Sequence, residues 1–187
     1  GLRASVVSGK LVPVLCGSGP GNIGIQPLLD LLVETMPSPL DRGPREGKSP
    51  SGAPVTREPD PGAPFSALVI KTISDPYAGR LSVLRIFSGT LTEDSTVYNS
   101  TKQTKERFGQ LLRLKGKSQD PIESAGPGEI VAVAKLKDTT TQDTLCTEKD
   151  AILFAPVELP PAVYSLSVEP KSKGDEEKIF SSLSRLM

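Results

Sequence analysis

The sequence has no histidine and no tryptophan, only two cysteines, and aromatic residues at just 4% of its 187 positions. Without histidine, Ser-His-Asp and Cys-His catalysis within the chain are excluded, together with every zinc site that needs an imidazole. Cys16 and Cys146 alone cannot build a four-thiolate zinc site or a disulfide framework. An excess of one charge is also missing: 22 Lys and Arg balance 22 Asp and Glu. That rules out a uniformly basic nucleic-acid protein, though not a local basic patch. No apolar run approaches the roughly 20 residues that span a bilayer. Gly1 to Lys10 lacks a signal-peptide pattern, since Arg3 is followed by only two adjacent valines. The expectation is a soluble, cytoplasmic chain with no membrane partner. It starts without Met and stops inside a helical pattern, so a piece of a longer protein is expected.

What the chain does have is glycine and proline, 17 and 18 residues, distributed unevenly. Four stretches result. In residues 1–38 the apolar run Leu11–Leu15 reads as a buried strand. Ile25, Leu28, Leu29, Leu32 and Val33 then recur at helical spacing. Pro27 falls in the first turn, and Pro37 and Pro39 stop the helix. Residues 37–64 hold eight prolines and four glycines with almost no large apolar side chain. This composition cannot offset its ordering entropy, so 39–64 reads as a linker, mobile from about Asp41 to Gly62.

From Phe65 the texture changes to β. The runs FSALVIKT, RLSVLRIF, STVYN, QLLRL, EIVAVAKL and AILFAP are separated by turn signals at Asp75-Pro76, Gly79, Ser88-Gly89, Gly116 and Gly126-Pro127-Gly128. Short strands at this spacing argue a closed antiparallel barrel or a sandwich over residues 65–161. In residues 162–187, VYSLSVEP reads as a strand, and Asp175 as the cap of a helix with Ile179, Leu183 and Leu186 on one face.

The string from Asp75 to Leu91, DPYAGRLSVLRIFSGTL, resembles the second domain of translation elongation factor G. Further motifs follow in order: Lys105-Glu106-Arg107 resembles that family's KER, Leu136–Leu145 its LKDxxTGDTL, and Val168–Lys171 its entry into the third domain. Upstream, VPVLCGS and PLLDLLVETMPSP resemble the last strand and helix of the GTPase domain. The resemblance implies a mainly β fold: a closed barrel of the translation-factor second-domain type. It would be flanked by a strand–helix remnant of an α/β GTPase domain and by the first strand and helix of an α+β third domain. It also implies a parent that drives ribosomal translocation by GTP hydrolysis, with GTP and Mg as cofactors. Its partners would be small-subunit ribosomal RNA and its own GTPase and third domains. No phosphate loop, magnesium ligand set or NKxD reader occurs in these residues, so no catalytic residue, cofactor or metal is expected in the fragment itself. Three departures stand out: Lys135 for a usual small residue, Gln142 for Gly in TGDTL, and a longer, more Pro-rich linker. They fit a divergent paralogue, such as a ribosome-protection or recycling factor. A protein–protein interaction module is the other alternative.

Candidate sites follow. Gly19–Gly24 matches GxGxxG between a strand and a helix, but a dinucleotide fold needs further βαβ units, and a Pro-rich segment comes next. The resemblance implies instead that Ser18 and Gly19, where the family has Ser-Ala, contact a guanine base once the full GTPase domain is present. Residues 100–117 carry Lys102, Lys105, Arg107, Arg113, Lys115 and Lys117 against the single acid Glu106. They read either as phosphate contacts or as a solvated strand face. Arg80 and Arg85 suit phosphate or carboxylate recognition, or an interdomain ion pair. Arg80, Arg85, Lys105, Arg107 and Arg113 are thus the candidates for RNA or interdomain contact. Asp138 to Asp143 reads as a polar turn rather than a cation cage. Asn99-Ser100-Thr101 fits a glycosylation sequon that a cytoplasmic chain would not use. Both cysteines read as packed thiols.

Overall fold

The computed structural model describes residues 1–75, 79–158 and 160–186. The chain forms two compact units, Gly1–Pro44 and Arg45–Met187.

In the first unit, a short helix that periodicity does not announce, α1 (Leu2–Val7), precedes the apolar run. That run is not a strand. Residues 11–17 pair with nothing, and Val12 and Val14 are 80% and 89% exposed. A strand needs a neighbour's N–H and C=O groups, and no described segment supplies them here. The predicted helix is present as α2 (Ile25–Thr35), opened by Gly24 at φ 73° and carrying Pro27 in its first turn. Met36 turns extended ahead of Pro37. Pro39 does not merely stop a helix; it starts α3 (Pro39–Arg42), which has a reciprocal cap. The Ser38 hydroxyl accepts from Asp41 N at 3.3 Å, and the Asp41 carboxylate accepts from Ser38 N at 2.8 Å.

The second unit begins within the stretch read as a mobile linker. That reading is corrected by a hairpin, β1 (Arg45–Lys48) and β2 (Pro54–Arg57), in register from Arg45↔Arg57 to Lys48↔Pro54. Lys48 exchanges two backbone hydrogen bonds with Leu153, at 2.8 and 2.7 Å. Gly47 leaves no room for a Cβ, which would lie 2.7 Å from Ile152 and from the Leu153 carbonyl. Arg45 stacks over Phe87 at 5.1 Å, and Phe87 meets Phe154 edge-on at 4.8 Å. AILFAP, read as a strand, contributes only that bridge at Leu153.

The remaining strands are β3 (Ser66–Asp75), β4 (Gly79–Ser88), β5 (Leu91–Thr92), β6 (Thr96–Asn99), β7 (Thr104–Arg107), β8 (Leu111–Lys115), β9 (Ser118–Pro121), β10 (Ser124–Ala125), β11 (Ile130–Ala134) and β12 (Thr144–Cys146). Eight of them form one antiparallel sheet in the order β7-β6-β12-β3-β4-β11-β8-β9, and β5 pairs with β10. Alternation sends Leu84, Ile86, Val131 and Val133 to one face, where they join Val97 and Leu111 in a single core. Val97 in β6 and Leu111 in β8 stand five strands apart in the sheet order, so the sheet curls to bring them together. Each such fully buried side chain stabilises by roughly 1.5–3 kcal/mol.

Asp75 pairs with Gly79 across the β3–β4 hairpin, and Gly79 takes φ 74°. The turn assigned to Pro76 lies outside the described residues. The turn signal at Ser88-Gly89 does not close a hairpin, because β4 and β5 do not pair with each other. Gly89, at φ 71°, lets the backbone pass so close to Phe65 that a Cβ would lie 2.5 Å from its Cα.

Beyond Phe154 the predicted strand VYSLSVEP is absent: Val163 and Leu166 are 95% and 77% exposed and pair with nothing. Its alternation has no sheet edge to meet among the described residues. The helix is present as α4 (Glu176–Leu186). Asp175 precedes it, but its carboxylate takes the Ser172 hydroxyl at 2.5 Å and the Lys178 ammonium at 3.0 Å. Among the described residues no helix is long and apolar enough to cross a membrane.

Candidate functional site

The loop after the first apolar run is a tight backbone turn. Ser18 and Ile23 exchange hydrogen bonds at 2.9 and 3.0 Å, and the Ser18 hydroxyl accepts from Gly21 N at 3.2 Å. A Cβ on Gly17 would lie 2.8 Å from the Ile23 carbonyl, and one on Gly24 2.6 Å from that of Cys16. Gly17 and Gly24 therefore serve backbone approach within the turn, whereas a Cβ on Gly19 would meet nothing within 4 Å. Ser18 and Gly19 sit at its exposed or half-buried surface. Cys16 is exposed, which corrects its reading as a packed thiol.

The cations of residues 100–117 sit on β7, β8 and the turns beside them, and nearly all find acids from elsewhere. Lys102 pairs with Asp143 at 3.4 Å, Lys105 with Glu148 at 2.6 Å, Arg107 with Asp94 at 3.9 Å, Arg113 with Glu129 at 2.6 Å, and Lys115 with Asp120 at 3.1 Å. The local excess of charge seen along the sequence is thus largely cancelled in space. Except for the Lys102 pair, whose acid is buried, these pairs are well exposed, and each contributes about 0–1 kcal/mol. The Gly126 N–H, then Arg113, holds Glu129 below the usual carboxylate range. The Ser118 hydroxyl, then Lys115, does the same for Asp120.

Arg80 and Arg85 lie on β4 and are half-buried. Arg85 stands between Leu68 and Ile130 on the neighbouring strands, and its Nε is buried with no hydrogen-bond partner among the described residues. Neither arginine has an acid partner among the described residues. The structure does not bring the five candidate cations into one cluster with a shared ligand.

Sequence reasoning missed the residues that tie the KER strand to the LKDTTTQDTL loop. Glu106 is 6% exposed. Its carboxylate accepts from the backbone N–H groups of Lys137 and Asp138 and from the Thr139 hydroxyl. Asn99 donates to Thr139 Oγ1 at 3.1 Å and to Asp143 Oδ2 at 2.9 Å. Asp143 also accepts from Thr140 N at 2.8 Å. Lys102 reaches the Asp138 carbonyl. Two buried carboxylates are therefore filled by donors, which is what their burial requires. The register holds the missed signal: Val97 opposes Glu106, so strand alternation points Glu106 inward between the outward Lys105 and Arg107. Asn99 is fully buried, which closes the glycosylation reading of its sequon. Cys146 is buried, and that burial pushes its thiol pKa up, as for a packed rather than a reactive thiol. Among the described residues no group of His, Cys, Asp and Glu could hold a metal ion.

Three comparisons bear on identity. Residues 64–148 match the family model described as elongation factor G domain 2. Elongation factor G of Ureaplasma urealyticum serovar 10 is 44% identical over 185 residues, which is 99% of this chain and 27% of that protein. Elongation factor G of Ureaplasma parvum serovar 3 is 43% identical over the same share of each. A crystal structure of a protein from Thermus thermophilus superposes with a TM-score of 0.75 at 27% identity, covering 99% of this chain and 26% of that one. The chain thus spans about a quarter of the length of these relatives. The curled antiparallel sheet, the motifs it joins and the likeness along the whole chain agree: residues 64–148 match elongation factor G domain 2, and the chain along its length is similar to a section of elongation factor G.

Proposed function

We propose that this chain is a non-catalytic section of a translational GTPase whose parent promotes GTP-driven ribosomal translocation. Its β domain, closing into a barrel, would dock on small-subunit ribosomal RNA and on the GTPase domain. The observation that carries this reading is the colinear 44% identity to an elongation factor G across 99% of the chain. Closure is supported by Val97 of β6 and Leu111 of β8, which stand five strands apart in the sheet order and share one core. A rigid barrel suits a coupling element between nucleotide state and ribosome. In this reading residues 1–38 are the last part of the GTPase domain, and the turn at Ser18 and Gly19 contacts guanine once the phosphate loop and Mg ligands of the parent are present. Residues 162–187 open the third domain. Arg80, Arg85, Lys105, Arg107 and Arg113 contact RNA or the neighbouring domains, and the parent works in the cytoplasm. Lys135 and Gln142 favour a second reading, a specialised protection or recycling factor, because both depart from the family pattern.

The test is co-sedimentation of the chain with purified small ribosomal subunits across a salt series. The expected result is retention at low salt that falls steeply as salt rises. Absence of binding at low salt, or retention indifferent to salt, would contradict docking on RNA phosphates.

A further inference from the structure

The hairpin that opens the β domain crosses the place where the chain leaves it. β1 and β2 form a sheet of their own, and a two-stranded ribbon alone is marginal in water. Its support comes from residues 150–154. After them, residues 155–158 and 160–170 form neither helix nor strand. Lys48 and Leu153 exchange backbone hydrogen bonds at 2.8 and 2.7 Å. The Arg57 guanidinium donates to the Asp150 carbonyl. Val55 packs on the cluster of Leu68, Cys146, Ile152 and Phe154. Arg45 lies over Phe87, whose ring meets that of Phe154.

The dependence runs both ways. The Ser100 hydroxyl donates to the Ile152 carbonyl at 2.6 Å, and Phe154 N donates to the Thr144 hydroxyl at 3.1 Å. Between those two bonds to the sheet, Leu153 turns both its backbone groups to Lys48. The exit segment is thus gripped from two sides, by the sheet and by the hairpin. The hairpin's grip is the lighter one. Within its strands only Gly47, Val55 and Arg57 are half-buried, and the rest are exposed. Lys48–Leu153 is its one β-bridge to the body among the described residues. A groove of about 750 Å³ opens beside that bridge, lined by Glu46, Pro54, Val55, Leu153, Phe154 and Pro156 among others. Few buried contacts place a segment among those that open locally at a lower free energy than core strands.

We infer that the β1–β2 hairpin is a strap that fixes where the chain leaves the β domain. Closed, it holds residues 150–154 against the sheet. When it opens, those residues are released with it while the core strands stay paired. The freedom of residues 155–170 is then set by residues 45–57, although about a hundred residues of sheet lie between them in the chain. This inference does not rest on docking to RNA.

The test is native-state hydrogen exchange on the 187-residue chain and on Gly47→Val. A Cβ at position 47 would lie 2.7 Å from the Ile152 side chain and from the Leu153 carbonyl, so valine forces the hairpin off the body. The amides of Lys48, Leu153 and Phe154 are expected to exchange at least about tenfold faster, and together, while those within β4 and β11 keep their rates. Phe154 decides the matter, because its partner Thr144 belongs to β12 and is untouched by the substitution. A Phe154 amide that stays protected overturns the inference, since the hairpin would then merely rest on an exit held by the sheet. Equal acceleration in β4 and β11 overturns it too, since the hairpin would then be part of the global core. If Gly47→Val does not fold, Arg45→Ala carries the same test without added volume. Losing the cation over Phe87 is expected to speed the same three amides about threefold. No change in them, or an equal change in β4 and β11, gives the contrary answer.

Discussion

Gly1–Pro44 and Arg45–Met187 carry the same kinds of apolar side chain to opposite outcomes. Leu29 and Val33 on α2 are 53% and 86% exposed, whereas Leu84 and Val131 in the sheet are 0% exposed. Residue type is alike, and each set follows the period of its own element; what differs is whether the chain supplies the opposing surface. Eight strands in one sheet give every inward side chain a neighbour, while residues 11–17 have no strand beside them. Acids divide in the same way. Glu106 is buried and filled by donors, while Glu129 stays at the surface with Arg113.

The sharpest way to break this comparison is to truncate one apolar side chain in each unit. Leu84→Ala is expected to cost about 3–5 kcal/mol in denaturant unfolding, and Val33→Ala under about 0.5 kcal/mol. Similar losses would show that the exposed face of α2 is packed after all. Next comes the buried acid. Glu106→Ala strands two backbone N–H groups and a hydroxyl and is expected to cost about 3 kcal/mol, read as a lowered melting temperature; a cost near that of a surface change would contradict the network. Gly89→Ala forces a Cβ against the Phe65 backbone at a left-handed φ, and a loss of about 2 kcal/mol or more is expected. Gln142→Gly should act in the other direction. It relieves a side-chain-bearing residue at φ 75° and is expected to raise stability by about 0.5–1 kcal/mol.

The smallest effect concerns pH. Glu129 is held below the usual carboxylate range, first by the Gly126 N–H and then by Arg113. A depressed carboxyl contributes stability that is present above its unfolded pKa and lost as pH falls through its folded pKa. Glu129→Gln is therefore expected to lower stability at pH 7 by at most about 0.5 kcal/mol, given its exposure. The difference from the unaltered chain should close as pH falls below the ordinary carboxylate range. A difference that persists in acid would assign the effect to packing.

Much of the sheet is legible in the sequence because its strands are short runs rich in Val, Ile, Leu and Phe between turn signals: FSALVIKT, RLSVLRIF, STVYN, QLLRL and EIVAVAKL correspond to β3, β4, β6, β8 and β11. β7 and β9, TKER and SQDP, are polar edge strands that only pairing reveals. The hairpin at Arg45–Arg57 hides in a Pro- and Gly-rich composition because its support is distant in the chain, at Ile152, Leu153 and Phe154. Two apolar runs, at 11–15 and 163–168, look like strands yet pair with nothing, since a strand is a property of its neighbours as much as of itself. The candidate cations are visible as charge along the chain, but their neutralisation is not, because Asp94, Glu129 and Glu148 reach them only through the fold.

Native-state hydrogen exchange tests most directly whether KER and LKDTTTQDTL form one rigid, buried unit. If Glu106 holds the loop, the amides of Lys137 and Asp138 will exchange as slowly as those within β4 and β11, although Lys137 and Asp138 are themselves exposed loop residues. Exchange at the rate of free loop amides would show that the buried carboxylate does not fix the loop, and the account of one rigid unit joining KER to LKDTTTQDTL would fail.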